Sequence, residues 1–273
     1  MTYKCIRTLL LLGLFLSASQ STYADALAIS TLNLGNLQIT PTTGSVQFAG
    51  SWQAGAFAQA SNSLGELDVN FDSSTGGTAT ANAVVTFASA QGMANASGLV
   101  IACAANVNIP GCLPRSASST GRGSLSNSFT ITGGTGAVDV NISGMLDGMQ
   151  HVLTDVCGEL AESEVIFTLD VADSFGNIVF SLSFNSLLTI GRSAELQSMI
   201  SQAVANTAHL QFDTEYSIFI ETDTESRGIT SPVPEPSTMV LLLSGLSLIA
   251  GFVRKRTTVT ATYRPKKGWP PDE

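Results

Sequence analysis

The side chains in this chain that could do chemistry are few and scattered. Asp68 and Asp72 stand four residues apart in an alternating run, and Asp170 and Asp173 flank the start of a turn. A glycosidase-type pair needs two carboxyls about 5–10 Å apart in a cleft. Positions i and i+4 of a strand lie about 13 Å apart at the backbone. These carboxylates therefore read as the wet side of strands before they read as an acid and a base. Asp68-x-Asn70-x-Asp72 also opens like a calcium loop. But Ser73 stands where such a loop needs glycine, and Ala79 where it needs a bidentate glutamate. No metal ligand set and no cofactor is expected, with calcium the single ion the acidic pattern could attract. The two histidines, His151 and His209, are isolated and read as structural or surface residues. The sequence holds no G-x-S-x-G elbow, H-E-x-x-H pair, phosphate-cradling loop or dinucleotide fingerprint. Gly121-Arg122-Gly123-Ser124 reads as a flexible loop. No catalytic residue is assigned, and the chain is expected not to be an enzyme.

Of the four cysteines, Cys5 lies in the N-terminal leader and Cys103, Cys112 and Cys157 lie beyond it. Cys103 and Cys112 flank a short segment ending in Pro110-Gly111, which can turn the chain back. A disulfide across that loop would stabilise by about 2–3 kcal/mol. Cys157 is then an unpaired thiol. The spacing is not that of a zinc site.

Both ends of the chain carry targeting chemistry. Lys4 and Arg7 precede the apolar run Leu9–Leu16, and small residues lead to Ala24-Asp25-Ala26. This is the layout of a secretory signal peptide over residues 1–24, read by the Sec translocon and cut after Ala24 or Ala26. At the other end, Pro234-Glu235-Pro236 is followed by an apolar run, Met239–Val253, and then by Arg254, Lys255 and Arg256. Two prolines keep the acidic motif extended and available to an enzyme. The run would make a helix about 22 Å long, short for a bilayer core of about 30 Å. The basic cluster would hold the cytoplasmic side of the inner membrane.

Residues 232–256 resemble the PEP-CTERM sorting signal of Gram-negative bacteria. The resemblance implies that Pro234, Glu235 and Pro236 are recognised by a membrane-embedded exosortase. It implies that residues 239–253 form a transient transmembrane helix and that Arg254, Lys255 and Arg256 act as its basic stop. It further implies delivery to the cell surface or outside the cell, in the company of exopolysaccharide and biofilm. The chain departs from the family pattern by continuing through residues 257–273, which read as a disordered cytoplasmic tail.

What remains, residues 25–231, is strongly acidic. Eighteen Asp and Glu face only four basic residues there: Arg115, Arg122, Arg192 and Arg227. Such a balance excludes nucleic acid as a partner. Period-two runs dominate: Leu67/Val69/Phe71, Val138/Val140/Ile142, Val165 to Val171, Ile178 to Phe184 and Leu210 to Ile220. Further strands are expected at 28–34, 46–48, 53–60, 79–88 and 129–132, and 173–177 reads as a hairpin turn. Leu196, Met199, Ile200, Ala203 and Val204 fit a helical face, with Ser193 as cap and Glu195 in the first turn. Residues 91–125 show no periodicity and read as a surface excursion. The expected fold is mainly β, an antiparallel sandwich of jelly-roll type with one short helix. A carbohydrate-binding module is the alternative to a matrix-associated surface protein, and a divergent secreted hydrolase is a third reading.

Overall fold

The computed structural model describes residues 26–106, 115–154 and 159–230. The expected signal peptide at 1–24, the C-terminal segment from residue 231 on, Cys112 and Cys157 lie outside these residues, and so do the expectations for them.

Thirteen strands follow in chain order: β1 (Ala26–Pro41), β2 (Ser45–Phe48), β3 (Gln53–Asn62), β4 (Leu67–Thr75), β5 (Thr78–Val85), β6 (Ala88–Asn95), β7 (Leu99–Asn106), β8 (Arg115–Thr132), β9 (Ala137–Thr154), β10 (Leu160–Asp173), β11 (Ile178–Ile190), β12 (Ala194–Gln211) and β13 (Glu215–Thr230). One sheet runs β12-β9-β1-β7-β6-β5, and the other β11-β10-β13-β8-β3-β4 with β2 attached to β8. Every pairing is antiparallel. The inner faces of both sheets share one core in which Leu32, Leu125, Phe129, Ile142, Phe167 and Leu169 are among the most deeply buried side chains. The hairpin at 173–177 forms as expected: Asp173 N–H donates to the Asn177 carbonyl at 2.9 Å, and Gly176 takes the left-handed φ of 84°.

Three expectations are corrected. The first is the helix. Among the described residues there is none, and the segment assigned to it is β12, paired with β9 along its whole length from Ala194↔Thr154 to Gln211↔Ala137. Ile200, Val204 and Ala208 are four apart, a spacing that serves a strand as well as a helix. Met199 and Ala203, which a helix would bury beside them, point outward, and Met199 is 72% exposed. Eighteen backbone pairings with β9 outweigh a weak local helical preference.

The second is the excursion at 91–125. Most of it is β6, β7 and β8, and β7 and β8 are interior strands of the two sheets. Periodicity was invisible because the inward residues are small. Ala102, Ala104, Ala117 and Ser119 are buried, and Gly92, Gly121 and Gly123 sit where the sheets nearly touch. A Cβ on Gly121 would collide with the carbonyl oxygens of Cys103 and Gln91, and one on Gly92 with those of Arg122 and Phe57. Gly121-Arg122-Gly123-Ser124 is thus strand interior, its glycines required by close backbone approach.

The third is the polarity of β4. Leu67, Val69 and Phe71 face solvent, 65%, 49% and 80% exposed, because β4 is an edge strand whose other side chains turn toward β5.

Candidate functional site

β5 ends the six-stranded sheet, so alternate backbone N–H groups along it have no strand partner. The acidic face of β4 and its preceding turn supplies acceptors. Asp72 accepts from Thr80 N–H at 2.9 Å, and Asp68 from Val84 N–H at 2.8 Å. Glu66 accepts from Thr86 N–H at 2.8 Å and from the Thr86 hydroxyl at 3.1 Å. These bonds, with Asn62 at 2.6 Å, hold the Glu66 carboxyl below its ordinary value of 4.5. Asp68 and Asp72, which resembled the opening of a calcium loop, thus spend one oxygen each on closing a sheet edge. Asp170 and Asp173 do not join them. β10 and β4 are separated by β13, β8 and β3, about 19 Å at sheet spacing. Asp173 instead accepts from the N–H groups of Phe175 and Asn177, each at 2.9 Å.

The carboxylates that do come together are others. On the outer face of β10, β13 and β8, Glu164 stands opposite Glu225 and Glu162 opposite Arg227. Asp223 stands opposite Arg122, which donates to it at 2.6 Å and reaches Glu221 at 3.6 Å. Partial burial pushes the Glu225 carboxyl up, and the neighbouring carboxylates of Glu164, Asp223 and Glu162 push it further. Burial also raises Glu221, against the opposing pull of Arg122. Sequence reasoning missed this group because its members meet only across strands far apart in the chain. The available signal was their shared parity along Glu162–Asp170 and Glu221–Arg227.

Beside them, Ser61, Ser63, Ser116, Ser118, Glu225 and Arg227 are among the residues lining a polar depression of about 380 Å³. The Ser61 and Ser118 hydroxyls bond to each other at 2.9 Å. Trp52, whose indole could stack on a sugar if it were open, is half-buried and packs against Phe48 with ring centroids 5.3 Å apart. The histidines sit on the outer face of β9 and β12, His151 against Glu195 and His209 against Asp139, each at 2.8 Å. Cys103 is a half-buried free thiol of β7 whose burial raises its pKa. Its expected partner Cys112 lies outside the described residues. Among the described residues, no group of three or more His, Cys, Asp or Glu side chains is placed to hold a metal ion.

The strand β13 is bonded on both sides to its end, Ile229 to Leu160 and Ser116, and Thr230 to Arg115. Pro234, Glu235, Pro236, Arg254, Lys255 and Arg256 follow beyond the described residues. Comparison with curated proteins and with solved structures returns no match. The family model of the PEP-CTERM protein-sorting motif matches residues 232–256, beginning two positions after the last residue of β13. An exported protein that is anchored in a membrane before an exosortase processes it is what such a motif supports, and this chain carries a PEP-CTERM protein-sorting motif at its C-terminal end.

Proposed function

We infer that this is a non-enzymatic cell-surface or matrix protein, exported through a signal peptide at 1–24 and released from its anchor by an exosortase, where it associates with exopolysaccharide. The observation carrying this reading is the motif match at 232–256 directly after a two-sheet antiparallel domain, which we take to be a β-sandwich. In this reading Pro234, Glu235 and Pro236 are the recognition element, residues 239–253 span the inner membrane, and Arg254, Lys255 and Arg256 fix orientation. Burial of Ala26 at the start of β1, paired with Thr154, favours cleavage after Ala24 over cleavage after Ala26.

Replacing Pro234, Glu235 and Pro236 together by alanine tests it. Export should persist, and uncut precursor should accumulate in the membrane of exosortase-bearing cells. Equal size and location of the two forms in those cells would reduce the tail to a plain anchor. A second reading, binding of a glycan, is favoured by the serine-lined depression beside Glu225 and Arg227 and by Phe71, which lies open on the same outer face. A glycan array with and without calcium separates the two readings.

A further inference from the structure

We propose that β12 is an interface strand through which two copies of this chain join, antiparallel about a two-fold axis at Gln202, so that their six-stranded sheets continue as one.

The two strand paths end in four edge strands. β12 is the longest, with 18 residues against 13 in β11, 9 in β4 and 8 in β5. At the other end of its own sheet, the carboxylates of Glu66, Asp68 and Asp72 close β5. The edge of β12 is left open. Phe212 N–H, just past its end, bonds on the β9 side to the Gly136 carbonyl. Thr207 N–H instead meets the Asn206 side chain, and Gln211 N–H the Tyr216 hydroxyl. The odd-numbered N–H and C=O groups therefore point away from β9. From Glu195 to His209, only Thr207 among these outward N–H groups has a partner among the described residues. β12 also lacks the devices that blunt an edge. It contains no proline, lysine or arginine, Glu195 is its single carboxylate, and its register with β9 runs without a bulge.

The strand is complementary to itself. Setting Gln202 opposite Gln202 of a second copy matches odd residues with odd ones, as the outward backbone groups require. That register puts Glu195 opposite His209 of the second copy on the outer face, once at each end of the pair. His209 already bonds to Asp139, and Glu195 to His151, each at 2.8 Å. Acid and base then alternate across the junction as Asp139, His209, Glu195 and His151. On the inner face Ile200 meets Val204, and Leu196, 43% exposed, meets Ala208. Met199, open on the outer face, lies opposite Ala205. No like charges face each other along the pair, in a domain where carboxylates far outnumber arginines.

The test uses the full-length chain carrying Gln202→Cys, oxidised with glutathione disulfide and mapped by mass spectrometry without reduction. Opposed residues of a non-hydrogen-bonded pair lie about 4.5 Å apart at Cα, within the roughly 4.4–6.8 Å that a disulfide spans. A reducible dimer linked 202 to 202 should form roughly tenfold above the parent chain, whose native cysteines set the background. Ser198→Cys and Asn206→Cys should each stay at that background alone and link 198 to 206 when mixed. The mixed pair decides the register independently of how Gln202→Cys folds. Ala203→Pro, added to Gln202→Cys, removes an outward N–H, spares the ladder to β9 and should abolish the dimer. Background linkage in both Gln202→Cys and the mixed pair overturns the pairing. So does equal linkage by 198, 202 and 206 singly, which marks collision without a register. A bond from 202 to a cysteine of the same chain also overturns it, since another segment of that chain then covers the edge.

Discussion

The two ends of the stack are held together by different physics. Toward the far rim, the end that carries the 173–177 turn, the sheets enclose large apolar side chains: Phe129 against Tyr216 with centroids 5.8 Å apart, then Ile131, Val138, Val140, Ile142 and Val171. Toward the terminal rim, where β1 begins beside the end of β13, the same sheets enclose hydroxyls and amides. Ser226 donates to the Ala104 carbonyl at 3.0 Å, and Asn106 to the Ala117 carbonyl at 2.9 Å. Gln150 donates to the carbonyls of Ser163 and Ser186 at 2.6 and 3.0 Å and accepts from the Ser186 hydroxyl at 2.7 Å. One end gains from area removed from water, the other from close approach and satisfied polar groups. A sheet pair can therefore stay closed without large side chains, provided that glycine and alanine line the contact and most buried polar atoms, the Thr222 hydroxyl excepted, have a partner.

That difference breaks most visibly at the apolar end. Phe167 is fully buried between the sheets. Phe167→Ala should cost about 3–5 kcal/mol, the transfer loss plus an unfilled cavity. Urea denaturation should show a lower midpoint with an unchanged slope. A loss under about 1 kcal/mol would mean that the far end collapses around the gap and is packed less tightly than its burial implies.

At the narrow part the sensitive change is the reverse one, from small to larger. Gly121→Ala adds one methyl where carbonyl oxygens of two facing strands already stand. Backbone has no rotamer with which to yield, so the sheets must part, at about 1–3 kcal/mol or more. Thermal unfolding should show the drop, and a neutral outcome would show that the close approach is not maintained in solution. Elsewhere at that end, Gln150→Leu keeps the volume but removes the hydrogen bonds to two carbonyls and a hydroxyl, for about 1–3 kcal/mol. If that substitution instead stabilised, the polar network would be there for specificity and not for strength.

The same contrast explains which parts of the fold could be read in advance. Val165, Phe167, Leu169 and Val171 alternate with Ile166, Thr168 and Asp170, and their strand and its hairpin partner form where the alternation places them. Residues 117–124 alternate as well, but with Ala117, Ser119, Gly121 and Gly123 inward and Ser118, Thr120, Arg122 and Ser124 outward, a contrast too small to register as a period. β12 misled in another way, since the four-residue spacing of Leu196, Ile200 and Val204 cannot separate helix from strand. The sorting motif was legible because Pro234, Glu235, Pro236 and the basic cluster are contiguous in the chain. The cluster of Glu162, Glu164, Glu221, Asp223 and Glu225 was not, because strand order alone brings it together.

Acid should divide the two ends by sign, with the smallest effect of the set. Near the terminal rim, the folded protein holds the proton of Glu225 more tightly than the unfolded chain does, because burial and the carboxylates of Glu164, Asp223 and Glu162 oppose its ionisation. At neutral pH that ionised group therefore weighs against folding. The penalty is relieved as pH falls through the raised folded value toward the ordinary 4.5. In the far turn Asp173 is shifted the other way, held below its ordinary 3.8 first by the side chain of Asn177 and then by its backbone N–H. Its contribution is fully present above that ordinary value and is lost as pH falls through the lowered one. The melting temperature should accordingly hold or rise slightly on acidification from about pH 7 to about 5, then fall below about pH 4. Glu225→Gln should raise the melting temperature at neutral pH and flatten the first slope, leaving the acid limb untouched. Asp173→Asn should lower the neutral value and flatten the acid limb alone. Because Glu225 is exposed at the surface and Asp173 lies in a surface turn, solvent and salt screen the effects, and raising ionic strength should shrink the Glu225 response more than the Asp173 response. The first arises partly from charges on neighbouring strands and the second mainly from hydrogen bonds within one turn. A Glu225→Gln protein whose profile overlays the parent at every pH would show that Arg227, 3.9 Å from Glu162, already neutralises that face.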